Sequence, residues 1–460
     1  MANDITEQTK KLLPWIVAIA FFMQSLDATI LNIALPAIAE DLAIHPLGMQ
    51  SAVIAYMVTV ALIIPICGWV SDRFGTQKIF FIAVAFFSLG SILCAAAPSL
   101  LVLVVGRVVQ GIGGALMMPV GRLVILRVYP RSEFVKVMSF VTIPGLLGSL
   151  LGPTVGGWLV QYCSWHWIFL INVHIGVLGC IAAYKFMPDL TGVVHKELDL
   201  IGFILIGLAM VLVSFALEGL AELYLDKTAV IILSMVGISC LIGYWYHAVH
   251  IEHPLFPLKL FNIKSFSIGI LGNLIARLGN GSLPFLIPLL LQLALGYSPA
   301  QAGMMMIPTA LLAILIKPVI GLVINYFGYR WVLTVNTLLL GIIICSFALV
   351  SNQTPFVLLL AMLAAVGAVN SLQFTSMNTV TLLQLDDELA SSGNALLAVG
   401  VQLSISFGIA IAAILLAFFN GSQPIMESVK VLPAFQQTFF IMGLFTVMSA
   451  FVFFQLPKDM

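Results

Sequence analysis

Charge is what this sequence has least of. Asp, Glu, Lys and Arg make up 8% of its 460 residues, against about 25% in water-soluble domains, so a normally solvated surface cannot be built from it. The 19 basic and 19 acidic side chains cancel, and no basic run is long enough to follow a phosphate backbone, which argues against nucleic acid as a partner. No GxxxxGK[ST] loop is present to cradle a nucleotide, and no other enzyme signature stands out. The six cysteines stand singly, without CxxC spacing, so neither zinc nor a disulfide framework is implied. A cleavable signal peptide is not evident. The first apolar run, after KKLLPW, is of full span length and lacks a small-residue cleavage site, so it is expected to stay in place.

Apolar length is what the chain has instead. Hydrophobic residues make up 61%, and windows of about 20 of them predict membrane-spanning helices. Fourteen are expected, α1 to α14, near 13–37, 49–71, 78–97, 100–122, 135–160, 167–187, 200–220, 228–249, 265–293, 300–322, 331–351, 355–377, 395–419 and 434–456. The even-numbered gaps and the two termini carry Lys10, Lys11, Arg73, Lys78, Arg127, Arg131, Lys136, Lys185, Lys196, Lys259, Lys264, Arg330 and Lys458, whereas the odd-numbered gaps carry only Lys227 and Lys430. Because Lys and Arg are retained in the cytoplasm during insertion, both termini are expected inside.

Two polar joints, 188–199 and 252–265, bracket α7 and α8. They suggest a six-helix N-terminal bundle (1–187), a linker with two inserted helices (188–264) and a six-helix C-terminal bundle (265–460). GWVSDRFGTQK after α2 recurs faintly as GLVINYFGYRW after α10. Paired bundles of this kind are used by secondary transporters for alternating access.

Four local patterns carry the chemistry. LDATILNIALP in α1 places Asp27, Thr29 and Asn32 within about a turn and a half of one helix, where they are expected to line a wet cavity, with Asp27 and Asn32 as substrate contacts. Asp27 is the only charge in its span, and an ionisable group at that depth is a functional candidate, or else satisfies a neighbouring group. GRVVQGIGGA in α4 brings Arg107 roughly 10 Å down from one side, and Asp27 lies roughly 21 Å up from the other, so in a core about 30 Å thick the two share a height. GLLGSLLGPTVGG in α5 sets Gly145, Gly148, Gly152 and Gly156 on one helix face, where a second helix can approach closely, and Pro153 removes a backbone donor and is expected to bend the helix. GWVSDRFGTQK offers Gly68 and Gly75 for a tight turn, with Asp72 and Arg73 able to bond helix ends.

Together these patterns resemble the major facilitator superfamily, and within it the fourteen-span drug:proton antiporter branch, over essentially the whole chain. WHWIFLIN, GYSPAQAG and ASSGNALLAVGVQLSISFG add to the likeness. The resemblance implies that α1 and α4 are neighbours, so that Arg107 holds Asp27 ionised and protonation of Asp27 releases the pair; Arg107 simply pinning α4 is the alternative. It implies that the α5 pattern marks antiporters and that the α2–α3 loop latches an outward-open state. It also places Arg277 of α9 on the central cavity, as a substrate-charge contact or a partner of a helix carbonyl end. Two departures stand out: His174 occupies a position where the family pattern has proline, and Asn325 replaces an acid in the second loop.

Gln24, Asn273, Asn280, Gln373, Asn378 and Gln402, with Phe21, Phe22, Phe285 and Phe374, are the further cavity candidates. Arg122 and Lys317 fall near helix ends and are expected to snorkel to the headgroups. Glu218 is expected near an outer helix end. His247, His250 and His253 invite a metal reading, which Pro254 and the helical geometry weaken.

The expected function is a proton-coupled antiporter of the bacterial inner membrane exporting small amphipathic compounds, monomeric and without a cofactor. An exporter of an anionic metabolite such as a siderophore or a sugar is the alternative, and a non-transporting sensor or assembly partner is a third reading.

Overall fold

The computed structural model describes residues 7–191, 198–222, 227–252, 254–385, 387–420 and 431–457. Lys196, His253, Lys430 and Lys458, and the side chains of Arg131, Lys136, Glu218 and Lys227, lie outside that description.

All described elements are helical. Thirteen helices among the described residues are long and apolar enough to cross a bilayer. The segments are α1 Glu7–Asp41, α2 Gln50–Phe74, α3 Thr76–Ala95, α4 Leu100–Val128, α5 Arg131–Tyr162, α6 Trp167–Phe186, α7 Leu200–Glu222, α8 Lys227–His250 and α9 Lys264–Ala294. They continue with α10 (299–327), α11 (329–349), α12 Phe356–Leu382, α13 Asp387–Asn420 and α14 Val431–Phe453. α10 and α11 form fourteen segments with the rest because the run Lys317–Ser346 turns at Gly328, which has φ 74° and ψ 158°. α10 is itself split before Pro308 and Pro318, since proline has no N–H for the preceding turn.

The faint sequence echo is a structural repeat. Gly75, between α2 and α3, has φ 92° and ψ 145°, close to the conformation of Gly328. That region is open essentially to glycine alone. Gly68, by contrast, sits inside the last helical stretch of α2 with nothing within 4 Å of a would-be Cβ, so the turn belongs to Gly75 alone. A Cβ on Gly75 would also lie 2.0 Å from Asp189 Oδ1. The turn is stitched to the end of α6: the Thr76 hydroxyl donates to Pro188 O and accepts from the Leu190 amide, both at 3.0 Å. Gly75→Ala is therefore expected to cost about 1–3 kcal/mol, read as a lowered thermal unfolding midpoint in detergent, with Gly68→Ala near wild type.

α5 continues as helix through Pro144 and Pro153. α6 runs unbroken through His174, whose Nδ1 pairs with Leu170 O at 2.9 Å on its own helix.

The halves meet along two symmetry-related pairs, α5 with α10 and α2 with α13, while α7 and α8 pack on each other and α7 rests on α2 and α13. At the end where α1 finishes, one apolar core is shared by both halves, including Ile33, Leu35 and Ile38 of α1, Leu286 and Leu290 of α9, and Phe435 of α14. At the end bearing the α2–α3 turn each half has its own core, one around Phe80 and Phe87 in the first and others around Leu333 and Phe266 in the second, and a small cluster through α7 and α8 links Ala61 of α2 to Val399 of α13. Apolar burial thus seals one end broadly and joins the other only by the small cluster on the α7–α8 side, among the described residues.

Candidate functional site

The deepest polar cluster centres on Asp27, which is fully buried, with Arg107 2% exposed. Arg107 Nη1 donates to Asp27 Oδ2 at 2.7 Å and to Gln110 Oε1 at 2.6 Å. Gln110 Nε2 donates to Asp27 Oδ1 at 2.7 Å and to Ser91 Oγ at 3.0 Å, and Asn172 Nδ2 reaches the same Oδ1 at 2.9 Å. Arg107 Nε donates to Ala52 O at 3.3 Å, and its Cζ lies 4.2 Å from the centre of the Tyr56 ring. Five helices of the first half thus converge on one carboxyl. A charge in low-dielectric surroundings persists only when paired and hydrogen-bonded, and both conditions are met here.

The equal heights of Asp27 and Arg107 therefore correspond to a direct contact. Gln110 and Asn172 were not singled out from sequence, although both stand inside quoted patterns. Gln110 follows Arg107 by three residues, which puts it on the same helix face.

The cavity is elsewhere. A space of about 1260 Å³ opens between the halves at the α2–α3 end, lined among others by Gln24, Val60, Gly68, Asp72, Met118, Arg122, Phe374, Asn378 and Gln402. Gln24, one turn before Asp27, is the link between the two: its Nε2 donates to Gly114 O at 3.0 Å, and its Oε1 is buried without a partner. Asp27 and Asn32 do not line the cavity; Asn32 is buried and donates to Ala28 O of its own helix at 3.3 Å. A carboxyl fully occupied by three side chains has no face left for a substrate. The structure thus separates the acid from the substrate space, where the sequence reading had joined them.

The second half repeats the pattern without charge. Gln373 Oε1 accepts from Asn336 Nδ2 at 2.8 Å and its Nε2 donates to Thr337 Oγ1 at 2.6 Å, so Gln373 is spent inside the bundle. Asn280 Nδ2 donates to Asn370 Oδ1 at 3.4 Å. Phe21 and Phe285 are core residues. Phe374 does face the cavity, 45% exposed, and Arg277 stacks over its ring at 4.7 Å. Arg277 is 5% exposed; its Nε donates to Asn273 Oδ1 at 3.1 Å and its Nη2 has no partner among the described residues.

Arg122 departs from expectation. It lines the cavity instead of reaching for headgroups, because its α4 position faces the gap between the halves. Asp72 pairs with Arg127, which sequence reading had counted only as a loop charge, while Arg73 lies over Trp69 at 5.4 Å. His247 Nε2 pairs with Asp199 at 2.7 Å, and no cluster of metal-ligating side chains exists among the described residues.

The α5 glycines divide into two sets. Gly148, Gly152 and Gly156 press on α1, where would-be Cβ atoms meet Phe22 O at 2.6 Å, Thr29 Oγ1 at 2.0 Å and Ile30 Cγ1 at 2.7 Å. Gly157 instead crosses to the other half, its Cβ position lying 2.3 Å from Pro299 O, and Gly303 of α10 returns the contact at 2.2 Å from Pro153 O.

Comparison with known proteins agrees with this architecture. The profile of the Major Facilitator Superfamily matches residues 17–245 and 269–459. A Serratia proteamaculans protein whose curated name, given provisionally, is multidrug resistance protein MdtD is 45% identical over 445 residues, covering 97% of this chain and 93% of its own. The Escherichia coli protein of that name is 43% identical over 457 residues, covering 99% and 97%. Among solved structures, a bacterial homologue of the human lysosomal transporter Spinster, inward-facing and unoccupied, superposes with a TM-score of 0.70 at 15% identity, covering 98% of this chain and 97% of that one. A D-xylose–proton symporter superposes with a TM-score of 0.69 at 13% identity, covering 98% of each. A two-bundle helical fold, a cavity between the bundles and a profile match over nearly the whole length lead to one conclusion: the chain belongs to the major facilitator superfamily and is a membrane transporter, not an enzyme.

Proposed function

We infer that the chain is a proton-coupled antiporter that exports small amphipathic compounds by alternating access. The observation that carries this reading is Asp27, sealed from water by Arg107, Gln110 and Asn172 yet one turn from Gln24 in the cavity wall. Protonating Asp27 removes the attraction to Arg107 and frees a cation that must find new partners, which changes the packing of α1 on α4. Cargo entering the cavity acts on the same helices from the other side through Gln24. Opposed occupancy of these two places by proton and cargo is what antiport requires.

The relatives named for multidrug resistance support export of several compounds. The excess of Lys and Arg at the α2–α3 end supports a cytoplasmic mouth and both termini inside, in the inner membrane of a bacterium. In that orientation the cavity is open inward, and the two bundles 1–187 and 265–460 rock as a single monomer about the sealed end, with the linker 188–264 between them.

Cargo-driven proton release from detergent-solubilised protein tests the reading. Wild type is expected to release protons on addition of an exported compound, and Asp27→Asn to bind the compound while releasing none. Unchanged release by Asp27→Asn overturns the assignment.

A further inference from the structure

The wall of the cavity holds two acids that already have partners and an arginine without a carboxylate, and a second such arginine stands behind the wall. Asp72 is paired with Arg127. Asp199 is held by His247 and by the amides of Gly202 at 2.8 Å and Leu255 at 3.0 Å. Glu252 and Lys259, of opposite sign, lie exposed at the rim. Arg122 and Arg277 remain. Arg122 has one weak hydrogen bond among the described residues, from Nη2 to Met118 Sδ at 3.8 Å, and no carboxylate partner. Arg277 also lacks a carboxylate among the described residues, and its Nη2 is buried and unpartnered. A guanidinium carries five N–H donors in a planar fork suited to a carboxylate or other oxyanion. Leaving the buried donor of Arg277 unmatched is unfavourable, so a ligand that matches it gains what the protein alone forgoes, while the exposed Arg122 offers its fork directly to whatever enters the cavity.

Their placement adds meaning to their number. Arg122 belongs to α4 of the first half and faces the cavity; Arg277 belongs to α9 of the second half and stands behind Phe374 of α12, which faces the same cavity. The Phe374 ring, nearly half exposed, offers an apolar face to the cavity. The arginine of α4 that the sequence pointed to, Arg107, is consumed by Asp27 and contributes nothing here.

We propose that the cavity binds an amphipathic anion, its carboxylate or equivalent oxyanion bridging Arg122 of one half and Arg277 of the other, its apolar portion against Phe374. The proposal rests on the exporter reading above and narrows its cargo. An anion held by both halves draws them together around it, which is how a ligand favours one arrangement of a rocking pair over another.

The test is direct binding to the full chain in nanodiscs by calorimetry, using two matched probes, 4-phenylbutyrate and 4-phenylbutylamine. The carboxylate is expected to bind wild type more tightly than the amine. Arg122→Gln and Arg277→Gln are each expected to weaken the carboxylate about tenfold or more, the loss of one charged contact worth roughly 1.4 kcal/mol or above, and to leave the amine unweakened. Arg277→Lys, which keeps the charge, is expected to retain part of the affinity and so separates charge loss from misfolding. An amine that binds wild type as well as the carboxylate, or variants that bind both probes as wild type does, overturns the proposal. Because no proton movement is read, failure here leaves the Asp27 assay intact, and failure of that assay leaves this one intact.

Discussion

Arg107→Gln is expected to be the most damaging single substitution in the chain, lowering stability by about 3–5 kcal/mol. The change leaves Asp27 as a buried carboxylate with Gln110 and Asn172 but no cation. Uncompensated charge in a low-dielectric interior is far more costly than the loss of a hydrogen bond. The double variant Asp27→Asn with Arg107→Gln removes both charges and keeps polar groups able to bond Gln110, Ser91 and Asn172, so it is expected to recover most of that loss. Thermal unfolding of the two singles and the double in detergent forms a double-mutant cycle. Equal midpoints for Arg107→Gln and the double variant would mean that the pair is not the centre of this bundle. Proton release should be absent from all three variants, so stability and coupling come apart in the double.

The second large effect is expected at the seam between the halves. Gly157 and Gly303 let α5 and α10 touch backbone to backbone, with Cβ positions 2.3 Å from Pro299 O and 2.2 Å from Pro153 O. Carbonyl oxygens of two helices cannot yield as a flexible side chain does, so Gly303→Val forces the seam apart. Overpacking of this kind costs about 1–3 kcal/mol, enough to shift a two-state equilibrium by roughly 5- to 150-fold. The cost falls on the arrangement seen here and not on one in which the sealed end has opened. A cysteine placed at Leu290, in the shared apolar core, is therefore expected to become reactive towards a membrane-impermeant maleimide in Gly303→Val while remaining protected otherwise, with transport sharply reduced. Gly148→Val is the contrast, because its clash with Phe22 O lies inside one bundle. It should lower the unfolding midpoint without exposing Leu290. Labelling in Gly148→Val but not in Gly303→Val would place the seam elsewhere.

Particular residues show how far sequence reading reached. Span count and the two-bundle plan were legible because hydrocarbon demands about 20 apolar residues per crossing, a constraint that acts on composition alone. The Asp27–Arg107 pair was legible from height, since rise per residue converts sequence distance into depth. Gln110 was legible in principle, one helical turn from Arg107, and was passed over because a neutral amide does not stand out as a charge does. Rotation about the helix axis was not legible. Arg122 and Arg107 share a helix and carry the same charge, yet one faces the cavity and the other the bundle interior, and hydrophobic patterning is weak where every face is apolar. Gln373 and Gln24 were equal candidates for the same reason, and only packing sent Gln373 to Asn336 and Thr337.

The sequence by itself determined that this chain lives in a membrane, how many times it crosses, and which buried acid and base stand level. Those properties follow from single-residue transfer energies and the fixed rise of a helix, which need no neighbours. The tertiary structure decided what each polar side chain touches: that the acid is walled off from the cavity, that Arg122 lines it and Arg277 stands behind Phe374 without carboxylates among the described residues, and that paired glycines close the far end. Such facts depend on how helices distant in sequence are rotated and pressed together, and glycine spacing foretells a close approach without naming the helix that makes it.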